Sequence, residues 1–207
     1  MKIGVVNYGI GNIGSVTNML NYIGRNVEII SNPDELNRVD KLILPGVGSF
    51  DKGMAELNNR EFIEPLYNRV VHDSVPILGI CLGMQMLMRS SEEGILPGLG
   101  LIDGDTRKFV FTDKLEKYRT PHMGWNIVYP RYYKSLFNNQ SEEYRFYFVH
   151  SYHVVCNNDA DILATAKYGY EFICAVEHEN IFGVQFHPEK SHKFGMDLLR
   201  NFADFKC

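Results

Sequence analysis

Val75-Pro76-Ile77-Leu78-Gly79-Ile80-Cys81-Leu82-Gly83-Met84-Gln85-Met86-Leu87-Met88 is the stretch whose reading decides the fold. One apolar run passes through a glycine-flanked cysteine into another, which predicts strand, tight turn and helix with a single thiol at the apex. No large neighbour crowds the backbone beside Cys81, so the turn can be sharp and strained. The G-x-S-x-G elbow holds its nucleophile above a sheet by the same logic. The helix that follows turns the positive end of its dipole toward the sulfur, which favours thiolate over thiol.

Outward from this stretch, the first half of the chain alternates short apolar runs with helical patterns. Strands are predicted at 3–6, 27–30 and 41–44, and helices at 15–23, 51–59 and 62–72. A βαβα order implies a mainly parallel central sheet with helices on both faces. The second half reads differently. Short segments rich in aromatic and β-branched residues, at 107–111, 126–128, 145–149, 152–156, 162–166, 172–177 and 181–185, predict an antiparallel strand extension before a closing helix at 193–205. No low-complexity linker or internal repeat divides the halves, so the expectation is one α/β domain over residues 1–207.

Bulk properties narrow the function classes. With 207 residues the chain is long enough for a substantial core, and a net charge of −4 without a basic tract argues against nucleic acid. The first residues read as a strand that starts at once, so no signal peptide is expected, and no apolar run is long enough to span a membrane. Cys81, Cys156, Cys174 and Cys207 are widely spaced and form no metal-type pairs, which suits a reducing cytoplasm with three of the four as passengers. His150 and His153 are three apart. Within one strand that spacing sends the rings to opposite faces, so no metal site is expected.

Gly9-Ile10-Gly11-Asn12-Ile13-Gly14 matches G-x-G-x-x-G between a strand and a helix, and a dinucleotide-binding oxidoreductase is the rival it raises. The second strand should then end on an acidic residue for the ribose. It ends instead on Ile29-Ile30-Ser31-Asn32-Pro33, with Asp34 beyond the proline, and the bland alternative is a tight strand-to-helix turn.

A second motif gives the thiol its chemistry. Phe186-His187-Pro188-Glu189-Lys190-Ser191 places a carboxylate two residues after a histidine, so Cys81, His187 and Glu189 could form nucleophile, base and orienting acid. Read as a strand-like segment, that spacing puts both side chains on one face, with Pro188 stiffening the link.

On these motifs, together with Asn7-Tyr8-Gly9-Ile10-Gly11-Asn12, Leu44-Pro45-Gly46-Val47-Gly48-Ser49-Phe50, Pro121-His122-Met123-Gly124-Trp125-Asn126 and Tyr147-Phe148-Val149-His150-Ser151-Tyr152, the chain resembles the class I (triad) glutamine amidotransferases. Among them it is most similar to the glutaminase subunits of imidazole glycerol phosphate synthase. The resemblance implies hydrolysis of L-glutamine through a cysteinyl thioester, no cofactor, and delivery of ammonia to a (β/α)₈-barrel cyclase in a heterodimer. It implies oxyanion donors from the backbone of Leu82 and from Val47 and Gly48, the latter reached by a peptide flip. For Gly46 and Gly48 the alternative is a simple strand-ending turn.

Substrate binding is implied for Gly46, for Gln85 one helical turn beyond Cys81, for Glu93 at the substrate amine with Glu92 as the neighbouring candidate, and for Ser151 and Tyr152 at the carboxylate end. Asn12, His122, Met123 and Trp125 are implied at the partner interface, although core packing is the general expectation for a lone tryptophan. His72, His178 and His192 read as surface or ordinary packed residues. Gly14 stands where histidine-pathway subunits often carry a basic residue. A related subunit that supplies ammonia for amidation of a bacterial surface sugar therefore remains the alternative, with a non-catalytic partner-binding relative below it.

Overall fold

The sheet runs β2-β1-β3-β4-β12-β11-β10-β7-β8 in the computed structural model, which describes residues 1–111, 118–138 and 143–206. Its parallel part consists of β1 (Lys2–Val6), β2 (Asn26–Ile30), β3 (Lys41–Gly46), β4 (Ile77–Cys81) and β12 (Ile181–Val184). Every residue of β3, β4 and β12 is buried, as expected of strands covered on both faces. Helices α1 (Ile13–Tyr22) and, at the end of the chain, α5 (His192–Asp204) cover one face. There Val16, Leu20, Leu198 and Phe202 pack with Ile3, Val5, Ile43, Leu78 and Val184. Helices α2 (Phe50–Asn59), α3 (Ile63–Tyr67) and α4 (Leu82–Met86) cover the other, where Phe50, Met54, Leu66 and Met84 meet Val6, Leu42, Leu44 and Ile77. Alternate strand residues serve opposite layers, as the two-residue period requires.

The antiparallel extension comprises β7 (His122–Pro130), β8 (Tyr144–His150), β10 (Ile162–Tyr168) and β11 (Tyr170–His178), joined to the parallel part through β12. Off this path, β5 (Ser90–Ser91) pairs with β6 (Gly104–Lys108), β6 with β9 (Tyr152–Cys156), and β9 with β11. The architecture is thus the mixed α/β arrangement expected. The helix predicted over 62–72 is α3 followed by a wider, π-type turn at Asn68–His72. The predicted strand over 107–111 begins earlier, at Gly104, and ends at Lys108, freeing Phe109 to enter an aromatic cluster with His122, His150, His153 and Phe172.

Topology gathers three motifs at one sheet edge. Gly46 is in register with Cys81, and Val184 with Ile80, so the carboxyl ends of β3, β4 and β12 lie side by side. Those ends carry the Gly46–Gly48 loop, the thiol and the His187 motif, at the place where open α/β sheets offer a crevice.

Helix α4 packs closely on these strands because the contact residues lack side chains. A Cβ on Gly79 would come within 2.7 Å of the Gly83 carbonyl carbon and oxygen, and a Cβ on Gly83 would overlap the Leu44 carbonyl oxygen. Backbone cannot yield there. Gly83→Ala is therefore expected to cost at least about 3 kcal/mol, lowering Tm by about 10 °C for a chain of this size. Gly14→Ala is the control: a Cβ there meets nothing within 4 Å, and the residue is helical. Thermal denaturation should show a large fall for Gly83→Ala and none for Gly14→Ala; equal behaviour would remove the close approach from the account.

Candidate active site

Cys81 ends β4 and precedes α4 with φ 55° and ψ −108°, a conformation that side-chain-bearing residues adopt only under strain. The predicted elbow is present, and the thiol opens into a pocket of about 290 Å³. Val47, Gly48, Leu82, Gln85, Glu93, His150, Ser151, Tyr152 and His187 share that pocket. Gly48 has φ 108°, so its peptide already sits in the left-handed region open to glycine.

His187 follows Phe186, whose ring stacks on Phe146 at 3.9 Å between centroids. Its backbone N–H donates to the Tyr147 carbonyl at 2.9 Å, while the Ser191 hydroxyl donates to the His187 carbonyl at 2.6 Å. The imidazole is thereby pinned between β8 and the start of α5. Its Nδ1 lies 2.8 Å from Glu189 Oε1, and both side chains are 1% exposed. The link is a 3-10 turn over Pro188–Lys190 rather than a strand: His187 caps the turn in extended conformation, and the tight turn brings the carboxylate back under the ring. Nε2 is buried and makes no hydrogen bond. Burial works against the imidazolium, but the Cys81 sulfur and the Glu189 carboxylate outweigh it and raise the His187 pKa to about 9. A thiol, an imidazole and a carboxylate thus stand in series at one pocket.

The remaining predicted positions separate clearly. Gln85, whose alternative was an exposed helix position, is buried; its Nε2 donates to the Tyr152 carbonyl at 3.3 Å and to Gln185 Oε1 at 3.0 Å. Glu93 lines the pocket, and its Oε2 accepts the Phe50 N–H at 2.8 Å, capping α2 from a distance. Glu92 points elsewhere, its Oε2 accepting the Lys108 N–H at 2.8 Å. Burial first, then the charges of Glu93 and Glu92, push the Tyr152 phenol up. Gly46 does not line the pocket. It is a packing glycine, where a Cβ would lie 2.8 Å from the Gly83 nitrogen and 2.9 Å from the Tyr8 hydroxyl.

On β7 the two-residue period sorts the interface candidates. Met123 and Trp125 are 61% and 45% exposed, and Trp125 stacks on His192 with an interplanar angle of 5°. His122, on the opposite face of the pleat, is buried and stacked on Tyr168 at 4.1 Å. Its ring therefore belongs to the interior and not to a surface. Asn12 occupies the N-cap position of α1 without a side-chain cap hydrogen bond and is half-buried. His150 and His153 do not point to opposite faces of one strand, because the chain bends at Ser151 between β8 and β9 and both rings pack on Phe109. Among the described residues, no group of three or more His, Cys, Asp or Glu side chains is placed to hold a metal ion. Burial pushes the Cys156 thiol up to about 12 and that of Cys174 well above its ordinary value, while Cys207 lies outside the described residues.

The dinucleotide rival lacks its contacts. Asn32, where the ribose acid would be needed, instead accepts the Asp34 N–H in a capping box with Glu35. Gly14, the third glycine, is not needed for close helix–strand packing.

Sequence reasoning missed Gln185. It is fully buried, and its Nε2 donates to Cys81 Sγ at 3.7 Å. The signal was available: a glutamine inside the apolar run Ile181–Phe186 must be buried, and a buried amide needs partners.

An elbow thiol facing a buried imidazole–carboxylate pair, at the carboxyl edge of a parallel sheet, defines the class of α/β proteins equipped for thiol-dependent acyl transfer. The chain belongs to the class-I glutamine amidotransferase family, whose model matches residues 4–205. It is 50% identical over 200 residues to imidazole glycerol phosphate synthase subunit HisH 2 of Methanococcus maripaludis, covering 97% of this chain and 98% of that protein. Subunit HisH of Bdellovibrio bacteriovorus is also 50% identical, with the same coverage. The fold is similar to that of PurLQS from Thermotoga maritima, with a TM-score of 0.74 at 20% identity over 98% of this chain and 97% of that one. A glutamine amidotransferase from the same organism superposes with a TM-score of 0.63 at 16% identity, over 99% and 83%. No helix among the described residues is long and apolar enough to cross a membrane.

Proposed function

We propose that the chain hydrolyses L-glutamine to glutamate and ammonia as the glutaminase subunit of an imidazole glycerol phosphate synthase in histidine biosynthesis, with Cys81 as nucleophile, His187 as acid–base and Glu189 as orienting acid. The observation that carries this reading is the buried His187–Glu189 pair beside the strained Cys81 elbow, in a chain that matches such subunits over nearly its whole length. Cys81 Sγ forms a bond to the δ-carbon of glutamine, and the electron pair of the C=O moves to oxygen. The backbone N–H groups of Leu82 and of Val47 or Gly48 hold that oxyanion, each contributing about 3 kcal/mol. Collapse breaks the C–N bond, and His187 gives its proton to the departing nitrogen, which leaves as ammonia. Water, deprotonated by His187, then attacks the thioester and releases glutamate and the thiolate.

Glu93 binds the substrate ammonium, Ser151 and Tyr152 hold the carboxylate, and Gln85 lines the wall between them. Ammonia passes to a (β/α)₈-barrel cyclase bound against Asn12, Met123 and Trp125; two large exposed apolar side chains on one strand suit such a surface. The site of action is the cytoplasm.

The test is glutamate release by the purified chain with and without its cyclase partner. Partner-stimulated hydrolysis is expected, and its absence with every cyclase of the source cell would refute the reading. Glu93→Gln keeps an acceptor for the Phe50 N–H while removing the charge. It should raise KM about tenfold with little change in kcat. A kcat defect alone would take Glu93 away from the ammonium.

A further inference from the structure

Gln185 takes no part in the steps above, yet its amide has only one workable orientation. Nε2 donates to Cys81 Sγ at 3.7 Å, and Oε1 accepts from Gln85 Nε2 at 3.0 Å. Gln85 sends its other N–H to the Tyr152 carbonyl at 3.3 Å. His150 Nδ1 lies 2.7 Å from the same carbonyl. A carbonyl can only accept, so Nδ1 of His150 carries the hydrogen and Nε2 is bare. Nε2 then accepts from His122 Nδ1 at 2.9 Å, which leaves His122 Nε2 to accept from Asn126 Nδ2 at 3.2 Å. The Asn126 flip is fixed in turn: Nδ2 also donates to the Lys167 carbonyl at 3.0 Å, and Oδ1 accepts the Ile127 N–H at 2.8 Å.

Every ring in this series has one tautomer and every amide one orientation, so donation runs in a fixed direction at each end. Burial pushes His122 down to about 4 and His150 to about 3, which keeps both rings neutral and the series intact at physiological pH. Asn126 sits on β7, the strand whose outer positions are Met123 and Trp125. The interior polar atoms of that strand are thereby connected to the sulfur of the elbow.

We propose that Gln185 is a positioning residue for the Cys81 thiolate, and that its orientation is locked through Gln85 by the Tyr152 carbonyl, the same acceptor that anchors the His150–His122–Asn126 series of β7. An N–H aimed at sulfur favours the anion over the neutral thiol. Because His150 donates to the same carbonyl, the place at which Gln85 and that N–H are held depends on the strand that carries the exposed Met123 and Trp125. The inference rests on the proposed function only in taking Cys81 as the nucleophile.

The experiment reads the sulfur itself rather than turnover: iodoacetamide labelling of Cys81 in the full chain, followed by mass spectrometry across a pH series. Gln185→Glu keeps an oxygen for Gln85 to donate to but replaces the N–H at sulfur with an acceptor. Gln185→Met conserves volume and removes both groups, and it carries the same test if the glutamate does not fold. Labelling at neutral pH should slow about tenfold in either variant and recover in alkali. In glutamine hydrolysis kcat should fall more than KM rises. His122→Phe, which keeps the ring stack on Tyr168 but cuts the series, should slow labelling about threefold. A parent-like labelling profile in a folded Gln185 variant overturns the positioning role, and one in His122→Phe overturns the connection to β7. Normal glutamine turnover by a chain lacking the Cys81 thiol would instead defeat the proposed function while leaving the labelling comparison readable.

Discussion

Cys81→Gly and Cys81→Ala should both abolish glutamine hydrolysis, by at least about four orders of magnitude, and yet differ from each other in stability. Loss of activity follows because no second thiol among the described residues can substitute. Cys174 is fully buried, and burial holds the Cys156 thiol in its protonated form. The stability difference follows from the backbone. At φ 55° and ψ −108° a residue with a Cβ is strained by about 1–3 kcal/mol, and only glycine relieves this. The sulfur faces the pocket rather than a filled core, so its removal opens little new cavity. Cys81→Gly is therefore expected to unfold at a higher temperature than Cys81→Ala, by about 1 kcal/mol equivalent. Activity measured beside thermal denaturation separates the two claims. Residual turnover in either variant would mean another nucleophile, and an alanine variant more stable than the glycine variant would mean an unstrained elbow.

That elbow was legible because its signals are local. Apolar runs, flanking glycines and a lone cysteine prescribe strand, turn and helix without reference to the rest of the chain. The parallel half was legible for the same reason, through helical spacing between short apolar runs. The local geometry of the His187 motif was not. The 3-10 turn that folds Glu189 under the imidazole depends on β8, through the Tyr147 carbonyl, and on the Ser191 hydroxyl, which no two-residue spacing encodes. His122 and Trp125 belong to one motif and were expected on one surface. The pleat sends the first into an aromatic interior and the second outward, a consequence of strand period and of which face the rest of the sheet covers. Likewise, His150 and His153 looked like positions on a single strand, whereas the bend at Ser151 turns both rings onto Phe109. Long-range register, not residue type, decided each of these cases. Glu93 against Glu92 was a matter of register too: adjacent carboxylates serve the pocket and the end of β6 because one faces α2 and the other faces Lys108.

The His187–Glu189 pair should make both activity and stability depend on pH in a particular direction. The folded pKa of about 9 lies above the ordinary imidazole value of 6.5, so folding favours the protonated ring. Stability from this group is then fully present below about pH 6.5, declines between there and about 9, and is absent above. The parent protein should lose Tm as pH rises through that window. Glu189→Gln leaves an oxygen for His187 Nδ1 and so retains the ring's orientation, but it removes the buried negative charge that favours the imidazolium. The variant should be less stable than the parent at pH 6, with a flatter pH dependence, and the two should converge above pH 9. Its kcat/KM for glutamine should fall by about a hundredfold or more, since the carboxylate would stabilise the imidazolium in the step that protonates the departing nitrogen. Denaturation and steady-state hydrolysis across the pH series measure both effects on the same samples. A parent whose Tm rises with pH through the window would reverse the assigned sign and place the positive charge elsewhere in the site. A Glu189→Gln variant with parent-like turnover would reduce the carboxylate to a packing role.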